Sequence, residues 1–171
     1  MSDVEIRAWT RGDIPAVRRI TWETWLATYA AFVPTKDLRA YFDKHYTEEA
    51  LSALMADPSN GGFVASVEGT PAGFVRTHWE EKEQRFYVSS LYVLPAFQGK
   101  GIGGRLMAAS EEKARARGAE EIWLGVMEQN ERTLEWYRRT GFTFVEEAPF
   151  TMGDSTINHL IGFKHIGMDR P

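Results

Sequence analysis

Seven residues, Gln98-Gly99-Lys100-Gly101-Ile102-Gly103-Gly104, carry four glycines directly after an apolar run, Leu91-Tyr92-Val93-Leu94, that closes at Pro95. Glycine lets a backbone come close to a ligand, and the first N–H groups of a helix have no internal acceptors and attract anions. A strand, a glycine turn and a helix in that order hold a diphosphate. Two nucleotide-binding motifs use such a turn. Gly99-x-Gly101-x-x-Gly104 has the spacing of the dinucleotide fingerprint, with Glu128 somewhat beyond the usual ribose distance. That fingerprint opens an α/β unit, whereas hairpins precede it here and few strand–helix pairs follow. The nucleoside-triphosphate loop needs Lys-Ser/Thr after its last glycine, and Arg105-Leu106 stand there instead. A purely structural turn is the further alternative.

Other residues capable of chemistry are scattered. Tyr137 is a phenol whose ordinary pKa of about 10 suits protonation of a basic leaving group; its spacing from Leu134 also fits a helix core. His45, His78, His159 and His165 show no metal spacing and read as ordinary surface or interior side chains. The chain has no cysteine, which excludes disulfides, thiol nucleophiles and thiolate metal sites.

The elements that must position these residues follow from periodicity. Val4–Trp9 alternates as a strand. Asp13 can cap a helix that admits Pro15 in its first turn and runs to about Ala31. Trp22, Trp25, Tyr29 and Phe32 on it form either core or the wall of a cleft. Thr35–His45 and Thr47–Ala56 read as shorter helices, and Asp57–Gly62 as a loop. Phe63–Glu68, Ala72–Trp79 and Gln84–Leu94 read as antiparallel strands. A helix over Gly101–Arg117 ends at Gly118. Glu121–Met127 barely alternates and reads as a strand covered on both faces, followed by a helix over Glu131–Thr140 and strands at Phe142–Glu146 and Ile157–His165. The result is one domain over 1–171, an α/β protein with a mixed sheet flanked by helices.

The bulk numbers narrow the setting. The chain has 171 residues, 43% apolar and 26% charged, with a net charge of −4. That balance is compatible with a cationic substrate and speaks against a nucleic-acid surface. The charged start is not a signal peptide and no apolar run reaches membrane-spanning length, so a soluble, cytoplasmic protein that does not bind membranes is expected.

Gln98-Gly99-Lys100-Gly101-Ile102-Gly103, after a strand ending Leu-Tyr-Val-x-Pro, resembles the Gln/Arg-x-x-Gly-x-Gly/Ala loop of the GNAT superfamily of N-acetyltransferases. A second block, Leu124-Gly125-Val126, Asn130 and Trp136-Tyr137 through Gly141-Phe142, is similar to the strand, asparagine, aromatic–tyrosine pair and Gly-Phe of that family. The likeness spans roughly Val4 to Ile166. Ile122–Val126, Phe150–Asp154 and Asp37–Tyr41 also resemble the PaiA-type polyamine acetyltransferases. The resemblance implies a mostly antiparallel sheet with one splayed strand pair, and acetyl-CoA as cofactor. The pantetheine arm would pair near Tyr92 and Val93, with the diphosphate held by Gln98 through Gly104. Asn130 would contact pantetheine or cap its helix, and Tyr137 would be the general acid. It further implies a small amine substrate, a polyamine first, and a homodimer formed through the late strands. Relatives often carry a glutamate base where this chain has Ser89. A water chain or an acid from elsewhere, Glu23 or Asp37, must then serve. Glu23, Tyr29, Asp37 and Ser89 are the candidate substrate contacts, with Asp43 and Asp154 as further acids for a cation around a loop at Phe150–Ser155.

Overall fold

The computed structural model describes residues 3–167. Its elements run β1 (Val4–Ala8), α1 (Ile14–Thr28), α2 (Thr35–His45), α3 (Glu48–Ala56), β2 (Asn60–Val67), β3 (Thr70–Glu80), β4 (Arg85–Val93), α4 (Ile102–Ala116), β5 (Glu121–Met127), α5 (Glu131–Arg139), β6 (Thr143–Met152) and β7 (Ser155–His165). Seven strands form one sheet in the order β1-β2-β3-β4-β5-β7-β6. Only β4 and β5 pair in parallel; the other neighbours are antiparallel. This is the mixed sheet with flanking helices that the periodicity predicts. No helix among the described residues is long and apolar enough to cross a membrane.

The sheet separates two apolar layers. On one face Ile102, Leu106, Leu124, Val126 and Leu134 pack α4 and α5 against the strands. On the other, Val17, Ile20, Trp25, Leu38 and Phe74 pack α1 and α2. Burying a side chain of this size stabilises the fold by roughly 1.5–3 kcal/mol.

Several boundaries differ from expectation for local reasons. Asp13 does not cap α1. Its carboxylate instead accepts from both Arg7 Nη atoms at 2.8 and 2.7 Å and from the Thr10 N–H at 2.7 Å, which ties β1 to the start of the helix. The loop after α3 is shorter than Asp57–Gly62, because β2 begins at Asn60. A Cβ on Gly62 would strike the Trp9 ring at 2.5 Å, so glycine stands in this strand to let an aromatic close on the backbone. β6 runs on to Met152. A bulge between Phe144 and Glu146 exposes Val145 and breaks the alternation, and Pro149 is tolerated because β6 is an edge strand. The expected substrate loop at Phe150–Ser155 therefore shrinks to the turn at Gly153-Asp154.

Candidate active site

The site arises where β4 and β5 part. Phe86, Tyr87 and Val88 face Ile122, Trp123 and Leu124, and the pairing stops there. At the same level β4 carries an extra residue: Thr77 faces Val88 while Arg76 faces Ser90, leaving Ser89 unpaired in a bulge. Beyond it the strands enclose a cavity of ≈ 150 Å³, lined among others by Thr24, Tyr29, Ser89, Gly125, Asn130 and Tyr137. The cavity shares Leu91, Val93, Gln98, Asn130 and Tyr137 with a wider groove of ≈ 560 Å³ that runs over the glycine turn.

Register decides which backbone groups face this opening. The Leu94 N–H donates to the Ala72 carbonyl at 2.8 Å, so Tyr92 and Ser90 are the residues bonded to β3. Leu91 and Val93 turn their N–H and C=O groups the other way, where no strand meets them. The open edge thus belongs to Leu91 and Val93, and the backbone of Tyr92 is committed to β3. Gln98 Nε2 donates to the Val93 carbonyl at 3.0 Å and steadies the turn. The Tyr92 side chain lies on the α1 side, with its ring 5.7 Å from Phe74 and 6.4 Å from Tyr29. Burial pushes the Tyr92 phenol well up and the Tyr29 phenol to about 12.

In the glycine turn, Gly99 and Gly101 have φ of 77° and 79°, a left-handed conformation that side chains disfavour. A Cβ on either would meet nothing within 4 Å. Backbone conformation, not crowding, demands glycine here, and the result is a bare cradle. Gly101 precedes α4 without any side-chain cap, so the first N–H groups at Ile102, Gly103 and Gly104 face the groove unclaimed by a side chain. Free N–H groups of this kind attract an anion. Lys100 is exposed beside Phe97. Arg105 turns away, donating to the Val4 carbonyl at 3.1 Å. Arg132 and Arg139 from α5 line the groove instead; the sequence alone does not distinguish them, because their approach depends on how α5 docks.

Asn130 is buried and makes no side-chain cap; it lines both the cavity and the groove. Tyr137 does the same, wedged between Trp136 and Phe142 at 4.9 and 5.3 Å. Burial, and then the neighbouring Tyr29 phenol, raise its pKa above the ordinary value. From α1 come Thr24 and Thr28, a pair that sequence reasoning passed over; buried Thr24 Oγ1 has no partner among the described residues. Their signal is the i, i+4 spacing of hydroxyls on a helix face that also carries buried Thr21 among apolar residues.

Two expected contacts lie elsewhere. Glu23 is exposed on α1 and does not line the cavity. Asp37 is buried on α2 and accepts from the Asp154 N–H at 3.0 Å and from Ser155 Oγ at 2.5 Å, which pins the β6–β7 turn. These donors hold its carboxyl below the ordinary range. Asp43 faces Arg39 at 3.8 Å and Asp154 faces Lys36 at 3.9 Å, all at the surface. Among the described residues no carboxylate lines the cavity.

Comparison with known proteins yields a consistent picture. Residues 14–142 match the family described as Acetyltransferase (GNAT) family. An uncharacterized N-acetyltransferase from the pepI 3′ region of Lactobacillus delbrueckii subsp. lactis is 27% identical over 160 residues, covering 90% of this chain and 92% of the relative. Among solved structures, the PaiA N-acetyltransferase of Thermoplasma acidophilum in complex with coenzyme A superimposes with a TM-score of 0.81 at 22% identity, covering 95% of this chain and 99% of the other. The Salmonella typhimurium yncA structure with acetyl-CoA gives 0.67 at 23% identity, covering 99% and 98%.

Proposed function

The chain belongs to the GNAT acetyltransferase family, and from that premise we propose that it transfers an acetyl group from acetyl-CoA to a primary amine, with a polyamine such as spermidine the first candidate. One observation carries this reading: β4 and β5 part at the Ser89 bulge directly beside the glycine cradle, and Tyr137 and Asn130 line both spaces. Acetyl-CoA supplies an acyl carbon already activated as a thioester. Gly99 through Gly104 would hold its diphosphate on the backbone N–H groups and favourable dipole of α4. The strand-free edges of Leu91 and Val93, where Gln98 claims only the Val93 carbonyl, would receive the pantetheine as an added strand receives amides, and an N–H there can polarise a carbonyl as an oxyanion donor does.

Tyr137 would donate its phenolic proton to the departing sulfur. Burial keeps the phenol protonated through neutral pH, the form a general acid needs. The amine would enter by Ser89 and Gly125, the exposed lining residues of β4 and β5. Support for a polyamine comes from the likeness of Asp37–Tyr41 and Phe150–Asp154 to PaiA-type sequences. These two blocks also pack on each other, through Asp37 and the turn and through Tyr41 and Phe150 at 5.4 Å, and neither lines the cavity.

The deciding assay is thiol release from acetyl-CoA across spermidine, free amino acids and peptides. Turnover with at least one amine is expected, with spermidine favoured. Tight binding of acetyl-CoA with no turnover on any amine would make the protein an acyl-CoA-binding module and end the enzymatic reading.

A further inference from the structure

An alkylammonium must lose a proton before its nitrogen can attack a thioester, yet neither a carboxylate nor an imidazole lines the cavity. Building on the acetyltransfer reading, we infer that His159 on β7 takes this proton through Nδ1, directly or across one water, from an amine seated in front of Gly125.

The placement follows from strand register. On β5 and β7, Met127 faces His159 and Gly125 faces Ile161, and side chains two apart share a face of the sheet. Met127 and Ile157 pack into the layer under α1 and α2, while Leu124 and Val126 pack under α4. His159 therefore shares with Gly125 the α1–α2 face. Gly125 is exposed there and lines the cavity. A Cβ on Gly125 would stand 3.9 Å from His159 Nδ1. The imidazole thus borders, together with Ile161 Cγ1 and the Leu160 carbonyl at the same distance, the space that the missing side chain leaves beside this lining residue. Its ring lies on Phe150, 4.7 Å between centroids and 28° between planes, which fixes its orientation.

The surroundings leave the ring neutral. Its strand neighbours on this face are Met127 and Gly125 from β5 and Glu146, Ala148 and Phe150 from β6, of which Glu146 alone is charged. Glu146 is held by Arg85. From α2 come Tyr41, raised by burial, and His45, lowered by burial and by Lys44 and Arg76; Arg76 on β3 acts on both. Burial alone lowers the His159 pKa from 6.5, so at pH 7 it can accept a proton.

The protons balance. His159 takes one from the ammonium and passes it to solvent. The carbon–nitrogen bond forms as the carbon–sulfur bond breaks. Tyr137 protonates the sulfur and is reprotonated by the second proton that nitrogen must lose. One proton reaches water per amide formed.

The test compares wild type with His159→Gln and His159→Ala, using whichever of spermidine, lysine or an N-terminal peptide wild type acetylates. In both variants kcat/KM at pH 7 should fall on the order of 100-fold, with the acetyl-CoA KM and melting temperature little changed. The acid limb of the wild-type profile should coincide with the His159 pKa followed by NMR of its ring C–H. That pKa should lie below 6.5 and move when the amine is added to the coenzyme A complex. In the variants the limb should give way to a steady rise toward the pKa of the amine itself. Activity within about 3-fold of wild type with the same acid limb, or a ring signal indifferent to the amine, overturns the assignment of His159 and leaves acetyltransfer standing. A wild type inert toward every amine overturns both.

Discussion

Replacing Tyr137 by phenylalanine separates chemistry from packing, because the ring and the hydroxyl have different jobs. Tyr137 is 6% exposed and its ring packs on Trp136 and Phe142, contacts that phenylalanine reproduces. Tyr137 lines the cavity and phenylalanine keeps its ring in place, so loss of the hydroxyl should change stability by no more than about 1 kcal/mol, or about 2–4 °C in melting temperature for a chain of this size. If the phenol protonates the departing sulfur, kcat should fall by about 10- to 100-fold or more, equivalent to about 1.4–2.7 kcal/mol of transition-state stabilisation. Because burial and Tyr29 raise the Tyr137 pKa, the acid form persists past the ordinary value of about 10. Any basic limb below that pH belongs to another group and should survive the substitution. The assay is thiol release at saturating acetyl-CoA and amine, with thermal melting as control. A kcat within about 3-fold of wild type removes Tyr137 from the chemistry; a large fall in melting temperature with lost activity would make it a packing residue.

Gly101→Asp should abolish coenzyme A binding, because the side chain must adopt φ near +79° and brings negative charge to the diphosphate cradle. Calorimetry that shows retained affinity refutes the cradle. Asp37→Asn should lower the melting temperature at pH 7, since an amide cannot accept from both the Asp154 N–H and Ser155 Oγ. The wild-type carboxyl titrates below its unfolded value of 3.8, so its stabilisation is fully present above that value and is lost as pH falls through the folded pKa. Melts should therefore converge as pH falls below 3.8, and a gap independent of pH would show that Asp37 does not act through its charge.

Much of the fold was legible because the helices and strands carry clean periods and the glycines punctuate them. The glycine cradle was legible too, as were Asn130 and Tyr137 as candidates, since their motifs are local. What escaped depends on partners distant in sequence. Asp37 reads as a free acid on an amphipathic helix until Asp154 and Ser155, far along the chain, arrive to claim it. Leu91 can be told from Tyr92 as an open backbone edge only once the pairing with β3 is known. His159 looks unremarkable in a strand whose opposite residues are unspecified, and gains its position only when β5 places Gly125 beside it.

One signal for the opening itself stood in the sequence unread. Gln84–Leu94 scans as a single strand, yet its apolar phase slips by one: Phe86 and Val88 pack under α4, and so do Leu91 and Val93, while Tyr92 faces α1. A strand cannot keep one face inward across such a slip unless it carries an extra residue, and Ser89 is that residue. Upstream of it the sheet is braced. Arg85 forks Glu146 on β6 at 3.1 and 2.7 Å, reaching across β5 and β7, with its guanidinium 3.5 Å above the Trp123 ring. Downstream, no cross-sheet clamp of this kind joins β4 to its parallel neighbour among the described residues, and the cavity begins. The bulge and the brace divide one strand pair into a closed end and an open end. The extra residue that turns Leu91 and Val93 toward α4 also frees their backbone edges, so the access of a ligand and the slip in the apolar pattern have a single cause.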